Sequence, residues 1–272
     1  MAATLSAGCK FVILAPRPAA AVRLCCLPPA GAGPVYYQSW TRYLPDTVEL
    51  CSVELPGRGT RAGNPSCTDM GVVVSAIAEA VSDQSDSRSM VLFGHSVGAL
   101  LAYEVTRALR REGQRLPEML ALSGMPAAHL GAYPAAVYHV MAAGREGLSD
   151  LFGPVPKRLI QSPRLGAAAM APLLADCLLE VQYRHREELP LDVPLALYGG
   201  ADDRFAPSET VRAWNALVTS PSDLRLFPGG HAYLRERPGD LVDQLVRDID
   251  ARVSPSAVAL RETAQQPPPP SV

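Results

Sequence analysis

The chain has 272 residues, 48% of them hydrophobic and 19% charged, enough for one large domain with its own core. Its 25 basic and 27 acidic side chains give a formal net charge of −2, which excludes the basic footprint of a nucleic-acid binder and any pull towards an acidic membrane. No apolar stretch reaches the ~20 residues of a bilayer span, and the run 11–15 after Lys10 is broken by Pro16 too early for a secretory signal; a globular, cytoplasmic monomer is expected.

Short apolar or β-branched runs at 22–27, 48–55, 89–93, 119–123, 193–198 and 224–227 predict strands. Helix-period segments lie between them. Val72, Val73, Ala76, Ile77, Ala80 and Val81 share one helical face, with Thr68 and Asp69 as capping candidates. Leu101, Val105 and Leu109 continue a helix after Ser96, and Leu241, Val242, Leu245, Val246, Ile249 and Val253 form a last stripe. This alternation predicts an α/β fold, a mostly parallel central sheet with helices on both faces. One stretch breaks it. Between Pro126 and Leu191 no strand is predicted, while Met170, Leu173, Leu174, Cys177, Leu178 and Val181 recur at helical spacing. A single domain over 1–253 with a helical lid inserted at about 126–191 is expected, followed by a disordered tail over 254–272 that contains Gln265, Gln266 and four consecutive prolines. The six cysteines (9, 25, 26, 51, 67, 177) show no C-x-x-C pair and no ligand spacing, so free thiols and no metal site are predicted.

The chemical signal begins at Gly94-His95-Ser96-Val97-Gly98, which follows an apolar strand and opens a helix near Val97. A serine in that setting reads as a nucleophile elbow, whose tight turn needs glycines where side chains would collide. A serine hydroxyl also needs a base, and in this arrangement the chain order is serine, acid, histidine. His95 lies inside the elbow and cannot reach round as the base. His129, His139 and His185 fall in the insertion and read as surface or packing residues. His231 follows Phe227-Pro228-Gly229-Gly230, a strand end with a glycine turn, and is the predicted base. For the acid, Asp202 and Asp203 compete. Gly200, Asp203 and Pro207 fit a G-x-x-D turn with proline four residues on, whereas Gly199 and Asp202 miss the proline by one; Asp203 is favoured and Asp202 stays as the alternative. An oxyanion hole needs two backbone N–H groups. Val97 supplies one, and the loop after 22–27 supplies the other. Pro28 and Pro29 have no N–H, so Ala30 is the first possible donor.

Taken together, Cys26-Leu27-Pro28-Pro29-Ala30-Gly31, Val53-Glu54-Leu55-Pro56-Gly57-Arg58, the elbow, the segment from Leu174-Ala175-Asp176 to Tyr183-Arg184, and Phe227-Pro228-Gly229-Gly230-His231 resemble the free-standing type II thioesterases that accompany polyketide and nonribosomal peptide synthetases. The resemblance spans nearly the whole chain, and the P-G-R turn with F-P-G-G-H is its most specific part. Pro29 and Ala32 depart from the family, which often has His or Tyr and a second glycine there. The resemblance implies an α/β-hydrolase fold and hydrolysis of stalled or aberrant short acyl thioesters from the phosphopantetheine arm of an acyl or peptidyl carrier protein. No cofactor of the enzyme's own is implied, the partner being an acidic carrier protein. Arg58 and Arg61 could then bear on phosphate or carrier, although arginines in such a loop are usually solvated surface. The rival readings are a carboxylesterase or lipase acting on oxygen esters, a chain-terminating cyclising domain and, weakest, a hydrolase fold repurposed for binding.

Overall fold

Apolar runs that are buried on both faces become the central strands of a parallel sheet, because helices cover it above and below. The computed structural model of the chain describes residues 8–83, 86–131 and 161–253. Its strands are β1 (Lys10–Ala15), β2 (Val22–Leu27), β3 (Val48–Glu54), β4 (Ser89–His95), β5 (Met119–Ser123), β6 (Leu195–Gly200) and β7 (Leu224–Phe227), ordered β1-β3-β2-β4-β5-β6-β7. All neighbours pair in parallel except β1 and β3, which are antiparallel with a register shift between Ile13 and Ala15. β1 was not among the predicted strands. It lies at the sheet's edge and is half-exposed along its length, so neither strict alternation nor a fully buried run marks it.

Helices α1 (Met70–Asp83) and α2 (Val97–Arg111) cover one face, and the 3₁₀ segment Pro34–Arg42 and the last helix cover the other. The odd and even residues of β2 separate accordingly: Cys25 and Leu27 join the first core, Val22, Leu24 and Cys26 the second. Asp69 caps α1, its Oδ1 accepting from the Val72 N–H at 3.0 Å. Val72 itself is 40% exposed, a correction to the predicted stripe, and Val74 takes its place inside. The remaining described helices are α3 (Pro163–Gln182), α4 (Ser208–Arg212), α5 (Tyr233–Glu236) and α6 (Pro238–Arg252). In α6 the predicted face is buried at Leu241, Val242, Leu245 and Ile249.

The winding reverses between β2 and β4, which are adjacent in the sheet. Loops leaving the carboxyl ends of these two strands therefore diverge and open a crevice, the usual ligand position in such sheets. Between β5 and β6 the described residues hold a 3₁₀ turn (Ala128–Leu130) and α3 but no strand. Residues 132–160 of the predicted insertion, His139 among them, and the predicted tail 254–272 lie outside the described residues. Among the described residues no helix is long and apolar enough to cross a membrane, and all six cysteines are free.

The buried face of α3 differs from the predicted stripe. Leu173, Ala175, Asp176, Leu179, Glu180 and Tyr183 point inward, whereas Leu174 and Leu178 are 41% and 43% exposed. The inward face includes two acids, so a purely apolar reading rotates the helix by one position. Burial pushes the Glu180 carboxyl up to about 8, and the nearby Asp176 charge adds to the rise. A carboxyl that holds its proton more tightly when folded makes stability fall as pH climbs from its ordinary value to about 8. Glu180→Gln removes that loss. The variant should melt several degrees above the wild type near pH 9 and level with it near pH 4; equal melting temperatures at the higher pH would show that Glu180 carries no such penalty.

Candidate active site

Ser96 stands between the last residue of β4 and the first of α2, with φ 56° and ψ −130°. Among the described residues it is the one non-glycine in the left-handed half of conformational space, a placement that costs on the order of 1–3 kcal/mol and persists only when its surroundings enforce it. Two glycines enforce it. A Cβ at Gly94 would collide with the Gly98 carbonyl, and a Cβ at Gly98 would collide with the Leu27 carbonyl. The Ser96 N–H donates to the Ser123 carbonyl at 2.9 Å, which pins the turn to β5.

Asp203 and His231 meet at the ends of β6 and β7. His231 Nδ1 lies 2.8 Å from Asp203 Oδ2, and both side chains are buried. Asp203 Oδ1 accepts from the Phe205 and Ala206 N–H groups at 2.9 and 3.1 Å. Burial alone would raise this carboxyl. The charge and hydrogen bond of His231, with the two N–H groups, outweigh burial and hold it below the usual aspartate value. Asp202 is exposed. The His231 ring lies on the His95 ring at 4.8 Å and against Phe205 at 5.5 Å. His231 Nε2 is buried and makes no hydrogen bond among the described residues. One nitrogen is thus fixed by a carboxylate, and the other is left free of hydrogen bonds and able to take a proton.

His95 is held from below. Its Nδ1 is 2.9 Å from Ser123 Oγ, which is 2.7 Å from the Tyr233 hydroxyl. Burial, reinforced by the charge of His231, lowers the basicity of His95 far enough to keep it neutral. Sequence reasoning missed Ser123 and Tyr233, since a lone Ser at a strand end and a Tyr after a turn carry no spacing signal.

The second loop begins at Leu27, which lies beside Gly94 in register. Gly98 of α2 packs on the Leu27 and Pro28 backbone, bringing residues 28–31 against the elbow. The Ala32 N–H closes a turn onto the Pro29 carbonyl at 3.0 Å, with Gly31 at φ +71°. Among the described residues neither the Ala30 nor the Val97 N–H finds an acceptor. The Gly31 N–H is taken by Asp176 Oδ2 at 2.7 Å. Arg58 does not reach solvent as expected from the sequence: it is buried and forks onto both Asp176 oxygens at 2.6 and 2.8 Å. Arg61 is half-buried beside Cys9.

His129 and His185 lie near each other, with ring centres 6.3 Å apart, and neither joins this cluster. A cavity of about 600 Å³ between α1, α2 and the end of α3 is lined by Glu104, Arg107 and Glu188, and includes none of Ser96, Asp203 and His231.

The family model described as thioesterase domain matches residues 22–253. Thioesterase PikA5 of Streptomyces venezuelae is 29% identical over 258 residues, 92% of this chain and 91% of that protein. The gramicidin S biosynthesis protein GrsT of Aneurinibacillus migulanus is 26% identical over 241 residues, 87% and 92% of the two chains. Among solved structures, the thioesterase RedJ from the prodiginine pathway of Streptomyces coelicolor superposes with a TM-score of 0.77 at 33% identity, covering 86% of this chain and 87% of that one.

The placement of the two aspartates gives a direct test. Asp203→Asn should lower thioester turnover by about 10⁴-fold, because an amide cannot hold the imidazole in the same tautomer. Asp202→Asn should stay within about twofold of the wild type, as expected for an exposed side chain outside the network. The reverse ranking in steady-state kinetics would reassign the acid.

Proposed function

Since the chain belongs to the thioesterase domain family and is a serine thioester hydrolase, we propose that Ser96, His231 and Asp203 are its triad and that it clears stalled or aberrant short acyl groups from the phosphopantetheine arms of acyl or peptidyl carrier proteins. The observation that carries the mechanism is the buried Asp203–His231 pair, seated on the ring of the residue next to Ser96. His231 Nε2 takes the Ser96 proton as Oγ attacks the thioester carbonyl. The Ala30 and Val97 N–H groups receive the oxyanion. The tetrahedral intermediate collapses, the C–S bond breaks, and the proton on His231 goes to the departing thiol. Water enters, loses a proton to His231, and attacks the acyl–Ser96 ester; collapse returns the proton to Ser96 and frees the acid. Asp203 stays ionised throughout and holds the imidazolium.

Each step runs on side chains, backbone N–H groups and water, with the phosphopantetheine belonging to the substrate. Helix α3, whose Asp176 and Leu173 meet the loop at Gly31, serves as the lid over this crevice. The relatives of gramicidin S and prodiginine biosynthesis support a place beside a polyketide or nonribosomal peptide synthetase, where the partner is a carrier domain.

A hydrolysis panel read by mass spectrometry tests this reading. Acetyl, propionyl and aminoacyl groups would be offered on a carrier protein, on free pantetheine and as oxygen esters. Carrier-bound short thioesters should turn over fastest, and Ser96→Ala should remove turnover while leaving the melting temperature near that of the wild type. Preference for oxygen esters would replace the proposal with a general esterase, and hydrolysis by Ser96→Ala would sink the triad.

A further inference from the structure

We infer that Asp176 and Arg58 are positioning residues for the acyl-transfer step: together they lock the turn that presents the Ala30 N–H onto helix α3. The inference rests on the reading of Ala30 as an oxyanion donor. Asp176 lies 145 residues from Gly31 along the chain, yet its Oδ2 accepts the Gly31 N–H at 2.7 Å. The same carboxylate takes both terminal guanidinium nitrogens of Arg58, at 2.6 and 2.8 Å. Arg58 Nη1 also donates to the Ala32 carbonyl at 3.2 Å. The turn of residues 29–32 is therefore gripped on both sides, through the N–H of Gly31 and the carbonyl of Ala32.

Direction is what this grip supplies. The Gly31 N–H belongs to the peptide group that follows Ala30, so fixing it fixes the torsion of Ala30 and, with the Ala32-to-Pro29 closure, the aim of the Ala30 N–H. The helix also sits on the turn itself: a Cβ at Gly31 would lie 2.9 Å from Leu173 Cβ, so a side chain there would push α3 away. An apolar pair could hold a helix in place at least as cheaply as a buried ion pair, but it could not orient a peptide group. Because Asp176 stands on α3, seating that helix and aiming the donor are one event.

The test compares Asp176→Asn and Arg58→Lys with the wild-type full chain on acetyl-pantetheine. It adds inhibition by a pantetheine trifluoromethyl ketone, which forms a tetrahedral oxyanion on a serine, and by the matching unreactive thioether. Each variant should lose about 100-fold in kcat with KM within about threefold, the scale of one oxyanion donor. The ketone should weaken in parallel while the thioether binds unchanged. If a single variant fails to fold, the double variant Arg58→Met with Asp176→Leu replaces the pair by apolar side chains of similar size and should show the same kcat loss. Wild-type kcat in any folded variant, a loss confined to KM, or equal weakening of both inhibitors would overturn the inference. Ser96→Ala separates the two levels. Activity retained there removes the serine mechanism itself, whereas activity lost there but kept in the Asp176 and Arg58 variants removes only the lock.

Discussion

Everything at the carboxyl edge of the sheet depends on one crowded crossing, where β4 turns into α2 against the end of β2. The backbones approach so closely that Gly94 and Gly98 can carry no Cβ. This contact forces Ser96 into a left-handed turn that its side chain disfavours. The strain is local, but two large apolar cores and the sheet hydrogen bonds hold the crossing shut. The same contact that sets the serine's turn presses residues 28–31 against it. The elbow and the loop are brought together by a single packing fact, and Val97 opens α2 directly after Ser96.

Three buried acids show how partners, more than burial itself, decide what a carboxyl does in this fold. Asp203 accepts three N–H groups and stays below its ordinary value, so it is an anion wherever the enzyme would work. Glu180 accepts no hydrogen bond among the described residues and sits near a second acid, so it holds its proton to about pH 8. Asp176 is 2% exposed and is met by a forked guanidinium and a backbone N–H. Removing either half of such a pair would leave an uncompensated buried charge, typically costing about 3–5 kcal/mol. One helix thus carries both a carboxyl gripped by a guanidinium and a backbone N–H and a carboxyl whose charge costs stability.

Much of this was legible from the chain. The central strands announce themselves as apolar runs because both faces are covered, and the elbow is written in its glycines. His231 follows from chain order, since one histidine alone trails the last strand. What escaped has a physical reason in each case. β1 is an edge strand with a half-wet face. Val72 lies on the predicted stripe of α1 but at its open first turn, where Asp69 caps the helix and solvent reaches in. The inward face of α3 was hidden because hydrophobic periodicity cannot register an acid as buried, and Asp176 is buried only because Arg58 arrives from a loop 118 residues earlier. Arg58 was misjudged for the complementary reason: from composition an arginine in a polar loop belongs to solvent, and its partner is invisible at that sequence distance. Asp202 and Asp203 differ by one residue, and here the spacing to Gly200 and Pro207 already favoured Asp203, the carboxyl that meets His231.

The neutrality of His95 is the least conspicuous part of the arrangement and is required by the rest. In the proposed mechanism acyl transfer passes through a positively charged His231, and the ring of His95 lies only 4.8 Å from it. A second imidazolium at that distance, in a buried and poorly screened site, would oppose the charge that Asp203 is there to stabilise. Burial and the approach of His231 both lower the basicity of His95, while Ser123 and Tyr233 anchor its Nδ1 from the far side. The ring can therefore pack beside His231 as an uncharged, tilted neighbour. With Asp203 on Nδ1 and the His95 and Phe205 rings at its sides, the imidazole of His231 has one polar edge left to use, and that edge is the nitrogen that exchanges protons with Ser96 and the departing thiol in the proposed mechanism.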